Sequence, residues 1–309
     1  MTKKTPILIS IVGPTAIGKT ALSIKLAKYF NTEIISADSR QFYQEMQIGT
    51  AAPTLAELAA VPHHFIKQIS VDSYYNVGAF EKDAISLLTE LYIKHDIVIM
   101  VGGSGLYVNA VTKGLDEFPE VNPDIRDVLN SRFKNDGLEG LQFQLKELDP
   151  KAYNKIAIDN PQRLIRALEV CLSSGKPYSS FLTSENKKRD FETITIGITA
   201  DREIIYDRIN RRVDLMIEDG LLGEVEDLLP KKHQNALNTV GYKELFNVLE
   251  KQWTLAFAIS EIKKNTRRFA KRQLTWFKKN EETIWFDYEV DLKTIIEYIN
   301  KRVNTLDHS

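Results

Sequence analysis

Residues 7–20 read Ile7-Leu8-Ile9-Ser10-Ile11-Val12-Gly13-Pro14-Thr15-Ala16-Ile17-Gly18-Lys19-Thr20. The first six form a short apolar, β-branched run closed by Gly-Pro, which predicts a buried strand. Ala21, Leu22, Ile24, Leu26 and Ala27 follow at helical spacing. Between strand and helix, Gly13 to Thr20 match the pattern G-x-x-x-x-G-K-[ST], and this placement gives the match its force. Successive loop amides and the helix N-terminus make an anion cradle, Lys19 adds a point charge for terminal phosphates, and Thr20 offers a hydroxyl to Mg²⁺. A di- or triphosphate fits such a loop.

The same alternation continues outward. Glu33 to Ser36 and Ile97 to Val101 read as strands, ending respectively at Ala37-Asp38-Ser39 and Gly102-Gly103-Ser104-Gly105, and Thr193 to Ile198 reads as a fourth, followed by a helix over 203–216. Strands alternating with helices imply an α/β fold with a P-loop NTPase-like parallel sheet, flanking helices, and a ligand site beyond the carboxyl ends of the strands. Between Gly114 and Asp190 the pattern is helical and charged, with turn signals at Asn122-Pro123, Asp149-Pro150 and Gly175-Lys176-Pro177. This predicts a helical insertion over 114–190, dividing a core of 1–113 and 191–309. From Glu203 to the end the chain reads mostly as helices.

The chain has 309 residues, roughly twice a usual domain, so it can bury a large core. Lys plus Arg (41) nearly balance Asp plus Glu (42), so any polyanion must be met by local patches rather than net charge. Gly and Pro together make up about 8%, well below the range of low-complexity chains. A single cysteine, Cys171, excludes an intrachain disulfide and a Cys-rich zinc module, which fits a reducing cytoplasm. Lys3 and Lys4 ahead of the first apolar run mimic a secretory signal, but the run stops at Gly13 without a small-residue cleavage site. No apolar stretch approaches the length of a membrane span.

An NTPase strand would end in a carboxylate that holds Mg²⁺ and its water. Ile97 to Val101 ends in Gly102-Gly103-Ser104 instead, which points to a nucleophile other than water. Asp38, at a neighbouring strand end, is placed to orient or deprotonate an amine or hydroxyl, although position alone, without the neighbouring motifs, favours a turn or cap role. Arg208 and Arg212 share a helix face and suit a pyrophosphate, with surface pairing to Asp207 or Asp214 the alternative. Arg163 and Arg166 open a helix at Pro161 and suit backbone phosphates, against a salt-bridged surface with Glu169. From Ile262 to Asn280 a basic amphipathic helix carries Lys264, Arg268 and Arg272 outward, with Ile262, Phe269 and Trp276 as its docking stripe. His63 and His64 are adjacent and read as structural rather than as metal ligands.

Gly13-Pro14-Thr15-Ala16-Ile17-Gly18-Lys19-Thr20, Ile35-Ser36-Ala37-Asp38-Ser39-Arg40-Gln41, Ile48-Gly49-Thr50-Ala51, Pro62-His63-His64, Val101 to Tyr107, Asn160-Pro161-Gln162-Arg163, Val240-Gly241-Tyr242 and Arg268 to Trp276 occur in that order. Together they resemble the bacterial-type tRNA dimethylallyltransferase family. The resemblance implies transfer of a dimethylallyl group from dimethylallyl diphosphate to the exocyclic amine of the adenosine immediately 3′ of the anticodon in tRNA. It implies Asp38 as general base, and Ser104 and Arg208 as catalytic groups on the departing diphosphate with Lys19, Thr20 and Mg²⁺. It further implies tRNA contacts from Asp38, Ser39, Arg40, Gln41, Ser104, Arg126, Gln162, Arg163, Leu164, Ile165 and Arg166. The chain departs from the family pattern at Ser104, where Thr is common, and at Ala52, where Lys is usual. A monomer in the cytoplasm, engaging the anticodon stem-loop and no membrane, is the expected state. The rivals are an adenylate prenyltransferase, a P-loop small-molecule kinase and a nucleotide-gated tRNA-binding protein without catalysis.

Overall fold

The computed structural model describes residues 5–183 and 187–306. Lys3 and Lys4, and residues 184–186 of the expected insertion, lie outside them. The chain divides into two compact units, one of residues 1–113 with 188–309 and the other of residues 114–187. The second boundary falls three residues before the expected Asp190. Arg189 explains it: its guanidinium donates to Glu81 and to the Ala110 carbonyl, both in the first unit.

The first unit is built on a six-stranded sheet. Its strands are β1 (Ile7–Val12), β2 (Ile34–Ser36), β3 (His63–His64), β4 (Ile97–Val101), β5 (Glu192–Thr199) and β6 (Ile284–Asp287), in spatial order β3-β2-β4-β1-β5-β6. Every pairing is parallel. Central β1 is buried along its whole length, as expected for a strand covered on both faces. Its residues alternate. Ile7, Ile9 and Ile11 pack on one side with Leu26 of α1 (Lys19–Phe30), Ile205 and Ile209 of α9 (Arg202–Glu218), and Ile295 and Ile299 of α13 (Leu292–Leu306). Leu8 and Val12 face the other side, toward Phe80, Ala84 and Leu88 of α3 (Val77–Leu91) and Val108 and Val111 of α4 (Gly105–Lys113). The period of two thus divides one strand between two cores.

Two strands depart from the sequence reading. β3 is only two residues long, and β6 lies in the stretch expected to be mostly helical. Neither is a continuous buried run, so neither carries a strong strand signal. β6 is admitted by its neighbour: a Cβ on Gly197 of β5 would meet the Trp285 ring at 2.5 Å, so glycine leaves that indole its place.

A further cluster joins α9 to α10 (Leu221–Asp227), α11 (Tyr242–Leu249) and α12 (Leu255–Phe277), with Leu221, Val225, Tyr242, Leu245 and Ile262 packed against Tyr43, Met46 and Val71. The second unit is helical among the described residues: α5 (Pro123–Asp136), α6 (Glu139–Leu148), α7 (Pro150–Lys155) and α8 (Pro161–Ser174). Its core is Leu129, Leu141, Leu145, Leu164, Ile165 and Leu168 with their neighbours. No helix is long and apolar enough to cross a membrane among the described residues.

Candidate active site

The carboxyl ends of β1, β2 and β4 bring three loops together. The first holds Gly13 to Thr20. Its turn needs left-handed backbone at Gly13 (φ 145°), Ala16 (φ 66°) and Gly18 (φ 106°), and a Cβ at Gly13 would sit 2.4 Å from the Ile198 carbonyl oxygen. Gly18 caps α1, whose first residues are Lys19 and Thr20. The Lys19 ammonium donates to the Gly13 and Pro14 carbonyls at 3.1 and 2.8 Å. Burial pushes it down to about 8, against the opposing pull of Asp38 and with a smaller downward push from Arg212.

Asp38 stands beyond β2. Its Oδ1 accepts the Arg40 amide at 3.1 Å, so the turn role read from sequence is realised. Burial also raises its carboxyl above the usual carboxylate range, although Lys19, Arg40 and Arg212 pull the other way. The third loop, Gly102 to Gly105, approaches so closely that a Cβ on Gly102 would lie 2.4 Å from the Ala37 carbonyl oxygen. Ser104 then reaches across, its Oγ accepting the Ser39 amide at 3.0 Å and donating to the Ser39 hydroxyl at 3.1 Å.

From α9, the Arg208 Nε donates to the Ala16 carbonyl at 2.8 Å, and its guanidinium lies 5.3 Å from the centre of the Tyr288 ring. Arg212 is half-buried, lowered by burial and by the charge of Arg208. The alternative of surface pairing belongs to their neighbour Arg211, which is exposed and 2.8 Å from Asp207. Asp214 pairs with Lys263.

Two cavities open here, both within the first unit. One, of about 440 Å³, is lined by the phosphate-loop residues Ala16 to Thr20, by Gln47 to Ala52 apart from Gly49, and by Glu57. The other, of about 530 Å³, has apolar walls from Leu106, Tyr107, Val213, Met216, Phe269 and Trp276. Asp38, Thr15, Gly103 and Arg212 line both. A polar pocket bordered by the Ala16 to Thr20 loop therefore meets an apolar chamber at Asp38.

Several expectations change. Of the expected docking stripe of α12, Ile262 is buried in the core and Trp276 packs against the core, while Phe269 remains 39% exposed; all three also line the apolar chamber, and Ala258, Ala270, Gln273 and Phe277 complete the buried face. Lys264, Arg268 and Arg272 do not all face outward as free charges. Lys264 pairs with Glu261, and Arg272 lines the chamber with its guanidinium 5.8 Å from the centre of the Phe269 ring. Gln273, not singled out from sequence, accepts the Thr15 amide at 2.8 Å and donates to the Gly103 carbonyl at 2.9 Å, tying the phosphate loop to the β4 loop. Its buried amide in a basic helix is the signal that could have found it.

Arg40 and Gln41 are tied to backbone: the Arg40 Nη1 donates to the Asn235 and Ala236 carbonyls, and the Gln41 side-chain amide to those of Thr50 and Ala51. In the second unit, Gln162 and Arg163 are exposed at the start of α8, capped by Asn160. Leu164 and Ile165 are not surface contacts. They are 0% and 1% exposed in that unit's core, because the helix turns them inward. Arg126 and Arg166 both pair with the buried Glu169, at 3.2 and 2.9 Å, so the salt-bridged alternative holds for Arg166, and two cations share one acid. The His64 Nε2 donates to the Glu33 carboxylate at 2.6 Å and the His63 Nδ1 to the Val61 carbonyl at 2.8 Å, both structural ties.

A family model described as IPP transferase matches residues 41–280. The chain is 59% identical to a tRNA dimethylallyltransferase of Christiangramia forsetii over 298 residues, covering 96% of this chain and 99% of that one. It is 57% identical to a tRNA dimethylallyltransferase of Flavobacterium psychrophilum, covering 96% and 98%. Among solved structures, the full-length tRNA isopentenylpyrophosphate transferase of Bacillus halodurans superposes with TM-score 0.73 at 37% identity, over 99% of each chain. A eukaryotic dimethylallyltransferase acting on tRNA gives TM-score 0.79 at 26% identity, over 93% of this chain and 75% of that one. On its loops, its cavities and these likenesses, the chain belongs to the IPP transferase family.

Proposed function

We propose that this chain transfers a dimethylallyl group from dimethylallyl diphosphate to the exocyclic amine of the adenosine immediately 3′ of the anticodon in tRNA, releasing diphosphate. The meeting of the phosphate pocket and the apolar chamber at Asp38 carries this reading. The diphosphate lies on the Gly13 to Thr20 loop with Lys19, Arg208 and Arg212 around it, and the allylic chain extends toward the chamber. The adenine enters the chamber from outside its stack, as a base must when its amine is the reacting atom.

An aryl amine is a weak nucleophile because its lone pair delocalises into the ring, so alignment with the allylic carbon supplies much of the acceleration. As the new C–N bond forms, the C–O bond to diphosphate breaks, and the amine proton passes to the Asp38 carboxylate. A carboxyl raised by burial is a stronger base than an ordinary aspartate. Cationic groups take up the charge that develops on the leaving group, and Ser104 joins them when its hydroxyl turns from Ser39 toward the diphosphate. Thr20, which lines the pocket, would hold Mg²⁺ through its hydroxyl together with diphosphate oxygens, and the ion would neutralise phosphate charge. Among the described residues no cluster of acidic, histidine or cysteine side chains forms a separate cage.

The second unit contributes Arg126, Gln162, Arg163 and Arg166 to tRNA backbone contacts, and the reaction runs on a single copy of the chain in the cytoplasm. In the test, purified protein is incubated with Mg²⁺, labelled dimethylallyl diphosphate and either tRNA or AMP. Label in tRNA and none in AMP is the expected result; label in AMP alone assigns a nucleotide prenyltransferase instead. Asp38→Ala lowers single-turnover transfer by roughly 10²–10⁴-fold while tRNA affinity stays within a few fold. An unchanged rate removes Asp38 from the chemistry.

A further inference from the structure

The phosphate pocket has a wall that none of its cations belongs to. Gln47, Ile48, Thr50, Ala51 and Ala52 form it, and the segment contains no charge. One carboxylate from outside the segment holds it. Glu224 of α10 accepts the Gln47 and Ile48 amides on Oε2 at 2.9 and 2.7 Å, and the Gly49 amide and the Tyr242 hydroxyl on Oε1 at 2.9 and 2.6 Å. Four donors use both oxygens of a group that is acceptor-only when ionised. Tyr242 is fully buried, and a Cβ on Gly49 would meet its ring at 2.6 Å, so the tyrosine and the loop backbone lie in direct contact.

The fixed end of the segment is continuous with its working end. Thr50 and Ala51 line both cavities, their carbonyls accept the Gln41 side chain, and the Gln41 amide in turn donates to the Asp38 carbonyl at 3.1 Å. Ala51 is held in the left-handed region at φ 49°, a conformation that an alanine keeps only when its surroundings impose it. Gly220 (φ 97°) links α10 directly to α9, the helix of Arg208 and Arg212.

We infer that Glu224, supported by Tyr242, is a positioning residue that sets the Gln47–Ala52 wall against the diphosphate pocket, so that donor affinity and transfer depend on a carboxylate that touches neither substrate. The inference rests on the phosphate loop being the diphosphate site. Glu224→Gln is the informative change, because it keeps size but replaces one doubly accepting oxygen by a donor that faces two other donors. Binding of inorganic diphosphate with Mg²⁺ is measured by calorimetry, and transfer kinetics are measured well below the melting temperature. Glu224→Gln is expected to weaken diphosphate and raise the donor KM by roughly ten- to a hundredfold, with kcat reduced and tRNA affinity within about twofold. Tyr242→Phe, which leaves the carboxylate on the three amides, should stay within about threefold. If Glu224→Gln does not fold, Glu224→Asp, which withdraws the carboxylate by one methylene, is read for the same split. Diphosphate affinity and donor KM unchanged in the folded variant, or a fall in melting temperature alone, overturns the inference. Failure of the wild-type chain to bind diphosphate overturns the phosphate-site reading beneath it.

Discussion

At the residue scale, the site stores unfavourable charge. Lys19 is pushed down to about 8 by burial, and a bound diphosphate would restore its ammonium. Binding therefore takes up a proton only above that value. The sign follows: the contribution of Lys19 to diphosphate affinity is flat below pH 8 and falls above it by up to about tenfold per pH unit, until the pKa of the complex is reached. Calorimetry at pH 7, 8 and 9 checks this, and a pH-independent constant would show that Lys19 is not the anion's partner. Asp38 is shifted the other way. Its folded carboxyl is raised by burial, so the unfolded chain ionises more readily and stability is lost as pH rises from the unfolded value near 3.8 through the folded one. Asp38→Asn keeps an oxygen for the Arg40 amide and removes this cost. Its melting temperature should exceed the wild type's at pH 7, with the gap closing near pH 3.5, while transfer is lost.

Among the elements, loops and helices meet with little tolerance. The end of β4 passes the end of β2 so closely that Gly102 has no room for a side chain, and the obstacle is the Ala37 backbone rather than a movable side chain. Gly102→Ala should destabilise by about 1–3 kcal/mol in denaturant unfolding, and slow transfer beyond that loss by moving Asp38 away from Ser104. Normal stability and rate would mean that the loops are looser than this contact implies. Helix α12 shows why amphipathicity alone misleads. Ile262, Phe269 and Trp276 recur every seven residues, and an apolar stripe faces either a core or a ligand chamber. Its buried face is made partly of Ala258, Ala270 and Gln273, residues too small or too polar to announce it.

For the whole molecule, a net charge of −1 gives no general attraction for RNA, so binding must come from patches. Arg268 and Lys271 are exposed on α12, and Arg163 is exposed on α8. Reversing Arg268 and Lys271 to Glu should weaken tRNA binding and reduce the slope of log K against log salt by roughly 1.4–1.8, the amount expected for two lost phosphate contacts. Equal slopes would make that face a solvated surface.

Sequence by itself determined the sheet's centre and the phosphate loop, because a fully buried strand is a continuous apolar run and the Gly13 to Thr20 spacing is a local geometric demand. It also located Asp38 and Ser104 at strand ends, since parallel strands deliver their carboxyl-end loops to one edge. The edge strands β3 and β6 were not legible, being short and defined by their neighbours. Nor were the roles of Gln273, Glu224 and Phe269, or the burial of Leu164 and Ile165 inside a helix whose first turn looks polar. Those depend on which residues distant in the chain become adjacent, and hydrogen bonds spanning 170 to 258 positions, such as those of Gln273 to Gly103 and Thr15, exist only once the tertiary structure has closed.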